Sequence, residues 1–255
     1  MKRLLTLFGT VIALVALIGC EGEVTLEAPS VSYTVENDGA DLALTWSEVT
    51  DADGYIIYGD DVVLDTVTTT TYTVTTPAAL VEVTAYSGDT ESDADQIDCA
   101  PVETASLHIF GSSDPDTTHP SGFGFSSSGT ATGYSISNSN NADLIDYWIY
   151  STSTLLQFVS PSDANPPFNS EVNATVNSGS DYNGLVIADA PGGYSTQTDI
   201  ASGAVYSFWI DPDNDGWGDN NDYFGKISVD GINGVDCTLT LAYQSIAGLR
   251  WCVTP

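Results

Sequence analysis

The chain has 255 residues, with 35 Asp or Glu, 4 Lys or Arg and a formal net charge of −31. This balance argues against a nucleic-acid partner, because neutralising phosphates requires basic side chains that the chain lacks. Disorder is also excluded, since 42% of the residues are hydrophobic and 10% are aromatic, more than a chain too polar to fold contains.

The first nineteen residues have the layout of a secretory signal peptide. Lys2 and Arg3 form a basic start, and residues 4–18 are almost all apolar, a run shorter than the roughly 20 residues of a membrane span. The stretch LIGC at 17–20 resembles the lipobox of bacterial lipoproteins, in which the Cys is lipidated and starts the mature chain. Ordinary cleavage and an uncleaved anchor are the alternatives. The resemblance implies a lipid anchor at Cys20.

Residues 20–28 form a short acidic tether after this Cys. Acidic residues in this place resemble the surface-export signals of lipoproteins in some bacteria that have an outer membrane. We therefore expect a bacterial cell-envelope protein, exposed on the outer membrane surface, with periplasmic retention as the alternative.

Residues 29–98 alternate apolar and polar residues, or are rich in β-branched and aromatic residues, between turn signals. No helical period of useful length is present. The predicted strands are DLALTW (41–46), GYIIYG (54–59), TTTYTV (69–74) and LVEVTAY (80–86).

The same segment resembles a fibronectin type III domain in four places. Pro29 stands before the first strand, Trp46 matches the core tryptophan of the second, DGYxxY begins at Asp53, and VxVxAY begins at Val81. The resemblance implies an antiparallel β-sandwich that serves as a spacer or binding platform, and such a fold alone implies no chemistry.

Residues 99–105 form the predicted linker, and residues 106–255 form a second region rich in strand patterns. The fold class is therefore expected to be all-β, with two tandem antiparallel β-sandwiches, the second larger and jelly-roll-like. The strand candidates of the second region are 106–111, 131–137, 146–151, 155–160, 170–176, 184–189, 204–210, 223–229, 236–243 and 248–253.

The stretch DPDNDGWGDNND at 211–222 has the ligand spacing of an EF-hand loop, with carboxylates at positions 1, 3, 5, 9 and 12 and Gly at position 6. It also resembles the calcium repeats of thrombospondin type 3. The alternative is an acidic hairpin loop that faces water, but unit charges 4 Å apart interact by roughly 4 kcal/mol at an effective dielectric of 20. We therefore predict a structural calcium site. Its ligands would be Asp211, Asp213, Asp215, the Trp217 carbonyl, Asp219 and Asp222.

Cysteine usage fits an oxidising compartment. If Cys20 is lipidated, Cys99, Cys237 and Cys252 remain. Because Cys237 and Cys252 flank a plausible hairpin, a disulfide between them is the first prediction. The alternative joins Cys99 to one of the other two.

The sequence gives little support for catalysis. His108 and His119 are its two histidines, and neither lies in a recognisable nucleophile motif. Two tryptophans are candidates for stacking on sugar rings. Core packing is the preferred alternative for Trp148. We expect Trp217 to be exposed in its polar loop, where packing over the ion or contact with a partner would explain so large an apolar ring.

We therefore expect a lipid-anchored, exported, non-catalytic binding or adhesion protein of the cell envelope. Its cofactor would be calcium, and its partners would be a membrane, reached through the lipid, and a surface glycan or protein. A carbohydrate-binding module and a structural envelope or filament subunit are the alternative functions.

Overall fold

The computed structural model describes residues 25–217 and 221–254. The predicted signal peptide, Cys20 and Asp219 lie outside these ranges. The helical segments within them are short 3-10 turns, Ser139–Leu144 and Pro161–Asp163. No helix among the described residues combines the length and apolar composition needed to cross a membrane.

The N-terminal part of the chain forms two antiparallel sheets that enclose one core. One sheet has the order β1-β2-β5, and the other has the order β4-β3-β6-β7, with β8 also paired to β6. Leu42, Ile57 and Val83 are among the buried side chains between them. The strands are β1 Val31–Glu36, β2 Asp41–Trp46, β3 Gly54–Gly59, β4 Val62–Val67, β5 Thr71–Val74, β6 Leu80–Ser87, β7 Thr90–Glu91 and β8 Asp95–Asp98.

The remaining strands form two five-stranded sheets with the orders β11-β10-β12-β13-β15 and β14-β16-β17-β18-β9. A second core, which includes Phe123, Phe158 and Phe208, lies between them. The strands are β9 Val102–Phe110, β10 Gly122–Phe125, β11 Ala131–Tyr134, β12 Tyr147–Ser151, β13 Leu156–Val159, β14 Ala174–Gly179, β15 Gln197–Asp199, β16 Val205–Ile210, β17 Tyr223–Asn233 and β18 Asp236–Tyr243.

Side-chain alternation explains these layers. In β18, Cys237, Leu239 and Leu241 are fully buried, while the residues between them are less buried, as expected for a strand with one face toward a core. β16 is buried along almost its whole length, because its outer face is also covered. Ala188, Phe224 and Cys252 form a small third cluster on that outer face.

The expectation of an all-β chain of the sandwich class is confirmed. Two predicted strands are wrong: residues 184–189 and 248–253 contribute only an isolated bridge between Ile187 and Trp251. Their apolar residues instead cover the outer face of a sheet and pack on the first core. Apolar residues can be buried in this way without forming a regular strand.

The C-terminal segment returns to the first sandwich. Leu249 and Trp251 belong to its core, and the Trp251 indole N–H donates to the Ala40 carbonyl at 2.7 Å. The backbone N–H of Arg250 donates to the Gly39 carbonyl at 2.9 Å. The domain limits 29–98 and 106–255 stay a prediction, but this C-terminal segment contributes to the first core and, through Cys252, to the third cluster.

The predicted Cys237–Cys252 disulfide is wrong. Both residues are buried free thiols, as is Cys99, and they belong to different clusters. The physical reason is topological, because the chain after β18 leaves that strand and forms its bridge with Ile187 instead. Burial raises the pKa of the Cys252 thiol to about 12, so this thiol is held in its unreactive form.

Candidate functional site

The acidic loop at 211–222 joins two adjacent strands of the second sandwich. Ile210 at the end of β16 pairs with Tyr223 at the start of β17. The loop therefore leaves and re-enters the sheet at one strand pair, and its two ends are fixed by the sheet.

Asp211 organises the first half of this loop. Its side chain is buried, and its two carboxylate oxygens accept the backbone N–H groups of Asn214 at 2.6 Å and Gly216 at 3.0 Å. Gly216 has a φ of +100°, a conformation that glycine adopts without steric cost. The glycine at position 6 thus makes the turn for which the ligand spacing requires it.

This turn brings three predicted ligands together. One carboxylate oxygen from each of Asp211, Asp213 and Asp215 lies within 4.8 Å of the other two. Oxygen ligands are those that calcium prefers, so these three side chains fit the ion. Asp222 is fully buried, and it does not belong to this group of three neighbouring carboxylates. The ligand roles of Asp222, Asp219 and the Trp217 carbonyl stay predictions.

The expectation that Trp217 is exposed is wrong. Its ring is partly buried and packs on the third cluster. The ring centroids of Trp209, Tyr194 and Phe224 lie 5.2, 5.3 and 5.0 Å from it. The apolar ring in the polar loop therefore anchors the loop to the outer face of the sheet.

A second pair of carboxyl groups lies beside the loop. Asp146 and Glu171 share a hydrogen bond, and burial raises the pKa of both; that of Asp146 rises to about 7 despite the N–H donated by Phe125 at 2.7 Å. The pair borders a cleft of about 280 Å³ whose lining also includes Tyr223 and Tyr243. One proton shared by two acids removes the repulsion between them.

Asn173 links this acid pair to the loop. It is fully buried, and its amide N–H groups donate to the Asp146 carbonyl at 2.9 Å and to Glu171 Oε2 at 3.2 Å. Its amide oxygen accepts the backbone N–H of Asp211 at 3.1 Å. A single amide thus holds the first predicted calcium ligand against the acid pair.

The two basic side chains of the described residues neutralise neither group of acids. Lys226 is fully buried and donates to the carbonyl oxygens of Tyr182 at 2.8 Å and Leu185 at 3.2 Å. Arg250 donates to the Asp38 carbonyl at 2.6 Å and also to the Ala188 carbonyl. Both cations hold backbone segments in place.

The two histidines contact carboxylates. His108 Nδ1 lies 3.1 Å from Asp236 Oδ1, and His119 Nδ1 lies 3.3 Å from Asp114 Oδ2. The His119 ring also stacks on Phe110 at 4.2 Å.

Trp148 lies on the outer face of its sheet, against the preferred expectation of core packing. Its neighbours Tyr147 and Ile149 are buried, whereas Trp148 is only partly buried and Tyr150 is 39% exposed. Trp148 borders a cleft of about 430 Å³. The two predicted sugar-stacking residues therefore differ, since Trp148 reaches the surface and Trp217 anchors a loop.

Comparisons with known proteins add little to this geometry. No family model and no curated protein matches the chain. A structure search finds a DUF4466 family protein from Parabacteroides merdae, with 10% identity and a TM-score of 0.38, over 86% of this chain and 99% of that one.

The loop is visible in the sequence because its acidic residues are regularly spaced. Sequence reasoning missed Asn173 and the acid pair, which come from separate segments and meet only in the folded chain. An isolated Asn or Glu in a Ser- and Asn-rich region carries no signal of this kind.

Proposed function

We propose that the chain is a lipid-anchored, non-catalytic binding protein of the bacterial cell envelope, in which calcium stabilises the second sandwich. The observation that carries the calcium assignment is the meeting of three carboxylates from Asp211, Asp213 and Asp215 within 4.8 Å. Lys226 and Arg250, the basic side chains of the described residues, donate to backbone carbonyl oxygens, and a bound cation would offset the repulsion among the three carboxylates. Exported modules meet calcium at concentrations for which an affinity of about 10⁻⁴ to 10⁻³ M suffices.

The N-terminal sandwich is proposed to be a fibronectin type III-like platform. The three-stranded sheet β1-β2-β5 and the opposing sheet around β3 and β6 support this. Trp46 packs in the core against Tyr55, with ring centroids 5.2 Å apart, as the resemblance implies for its core tryptophan.

The calcium site is tested by thermal unfolding of the chain from Glu21 onward, in excess calcium and in excess chelator. A ligand at 100 times its dissociation constant stabilises by about 2.7 kcal/mol and raises the midpoint by roughly 5–10 °C for a chain of this size. Asp215→Asn should abolish the rise. Asp61→Asn, which removes one exposed acid from the first sandwich, should keep it. An equal calcium response in both variants would remove the loop from the proposal.

The anchor is tested separately by expressing the whole chain in a bacterium that has an outer membrane. Incorporation of a labelled fatty acid and recovery in the membrane fraction are expected, and Cys20→Ser should lose both. Label-free recovery in the soluble fraction would contradict the lipid anchor and leave the calcium assignment unaffected.

A further inference from the structure

The outer face of the second sandwich carries a cleft whose lining differs from the rest of the acidic surface. Strands β12, β13 and β15 run side by side there. Strand register places Trp148, Val159 and Gln197 in one row across the sheet, and Tyr150, Gln157 and Asp199 in the next row. Aromatic side chains therefore stand on one strand, and amide side chains stand on its neighbours.

The rings of Trp148 and Tyr150 lie nearly perpendicular to each other and line the cleft. Trp148 and Tyr150 have centroids 5.8 Å apart and an interplanar angle of 79°. The Trp148 indole N–H donates to the Ser160 carbonyl at 3.2 Å, and Phe168 packs at 5.6 Å. These contacts fix the Trp148 ring, whereas Tyr150 stands more freely in solvent.

The amide groups beside the rings are held in place by carboxylates. Gln157 Nε2 donates to Asp199 Oδ1 at 2.7 Å, and Gln197 Nε2 donates to Asp163 Oδ2 at 3.1 Å. Amides and carboxylates oriented in this way are hydrogen-bond partners for hydroxyl groups. The cleft volume of about 430 Å³ is within the range of small-ligand sites, about 300–1,000 Å³.

Charge selects among the ligands that such a cleft could take. Lys226 and Arg250, the basic side chains of the described residues, are buried, while Asp163 lines the cleft. An anionic ligand would meet the Asp163 carboxylate, and a purely apolar one would not use the remaining hydrogen-bonding capacity of the amides. A ligand with many neutral hydroxyls and an apolar ring face satisfies both the aromatic walls and the amides.

We propose that this cleft binds a neutral glycan, with one sugar ring packed against Tyr150 and Trp148 and its hydroxyls bonded to Gln157 and Gln197. The assignment rests on the proposed binding function and names its ligand class. Among the described residues, the lining of this cleft includes none from the loop segments 211–217 and 221–222.

The test is affinity electrophoresis of the chain from Glu21 onward through gels that contain a neutral β-glucan, mannan or xylan, with polygalacturonate as the acidic probe. Retardation by at least one neutral polymer and none by polygalacturonate is expected. Tyr150→Ala should weaken the affinity about tenfold. Tyr33→Ala is the matched control, because Tyr33 is a strand tyrosine of the first sandwich with 43% exposure against 39% for Tyr150.

Three results would overturn the assignment: no retardation by any neutral polymer, equal loss in Tyr33→Ala and Tyr150→Ala, or a dimer that Tyr150→Ala dissociates. The last result would make a second copy of the chain the occupant. Trp148→Phe supplies a further variant that keeps a ring and should fold, with binding weakened less than in Tyr150→Ala. An intact calcium shift without glycan binding refutes the cleft alone, and glycan binding without a calcium shift refutes the calcium site alone.

Discussion

The loop at 211–215 and the Asp146–Glu171 pair are two groups of acids in one sandwich, and they differ in how their charge is accommodated. In the loop, Asp213 and Asp215 are exposed, and three carboxylates converge within 4.8 Å. In the pair, burial raises the pKa of Asp146 to about 7, so a proton removes one charge. Exposure would allow the loop to take the proposed calcium ion from solvent, whereas burial favours protonation of the pair.

Both solutions depend on the same scarcity of basic side chains. A typical protein would place Lys or Arg beside such acids, but here Lys226 and Arg250 hold backbone carbonyls. Asn173 joins the two groups through neutral hydrogen bonds. Substitutions at Asn173, in the acid pair and in the loop therefore test the difference between the two groups.

Breaking the link should have the largest effect. Asn173→Ala leaves the Asp211 N–H and the Asp146 carbonyl without the partners they have now, and we expect a loss of roughly 2–5 kcal/mol in the free energy of unfolding. Urea unfolding measures it. Asn177→Ala is the control, because Asn177 is exposed and its side chain hydrogen-bonds the Gly179 N–H and Tyr206, outside both groups of acids. Equal losses in the two variants would show that the link has no special role.

A substitution that prevents Asp146 from titrating should have the next largest effect on stability. Because the folded pKa of Asp146 is about 7 and the unfolded value is about 3.9, the folded state holds more protons between these pH values. The stability contributed by this group is therefore present below about pH 4 and is lost as the pH rises through about 7. We expect a fall of about 1–2 kcal/mol, reduced by solvent screening of a half-buried group.

Asp146→Asn removes only the pH dependence of stability that comes from this group. The amide can accept the Phe125 N–H and donate to Glu171, as the protonated acid does. Unfolding is measured from pH 4 to 8 in excess calcium, and the wild-type curve should fall relative to the variant curve. The other charges that act on the pair, Asp143 and Asp211, are common to both proteins. Parallel curves would contradict the shared proton.

A smaller effect is expected from Gly216→Ala in the loop. A Cβ at Gly216 or at Gly231 would have no atom within 4 Å, but Gly216 has a φ of +100°, so the comparison isolates backbone strain. We expect Gly216→Ala to cost about 1–2 kcal/mol and to weaken calcium binding. Gly231→Ala should change the calcium response little. A calcium shift that is the same in both variants would show that the turn is not needed for the site.

Sequence patterns predicted the strands in which apolar and polar residues alternate. They failed where contacts between distant segments determine the structure. The bounds of β2, β3 and β18 match the predicted ones. The strand GFGF, β10, was missed because glycine weakens strand propensity. Gly124 is needed there because a Cβ would lie 2.0 Å from the Leu144 carbonyl oxygen, a contact that no local pattern reveals.

The same division applies to the candidate sites. Asp211, Asp213 and Asp215 are separated by single residues, so their convergence follows from one local turn. Asn173 lies 27 residues from Asp146 and 38 from Asp211, and the outward position of Trp148 depends on which face of β12 meets the core. The spacing of residues within one loop is visible in the sequence. Which residues meet across neighbouring strands can be known only once the register of the strand pairs is known.

The smallest effect is expected where the loop meets its aromatic anchor. The Trp217 indole N–H is buried and has no acceptor among the described residues, so Trp217→Phe should cost less than about 1 kcal/mol while it keeps the ring contacts. The predicted ligand at this position is the backbone carbonyl, which the substitution retains. The calcium-dependent midpoint shift should therefore persist, while any calcium-dependent change in fluorescence that comes from this indole disappears. A lost midpoint shift would mean that the indole itself, rather than a ring that fastens the loop to the sheet, is required for the ion.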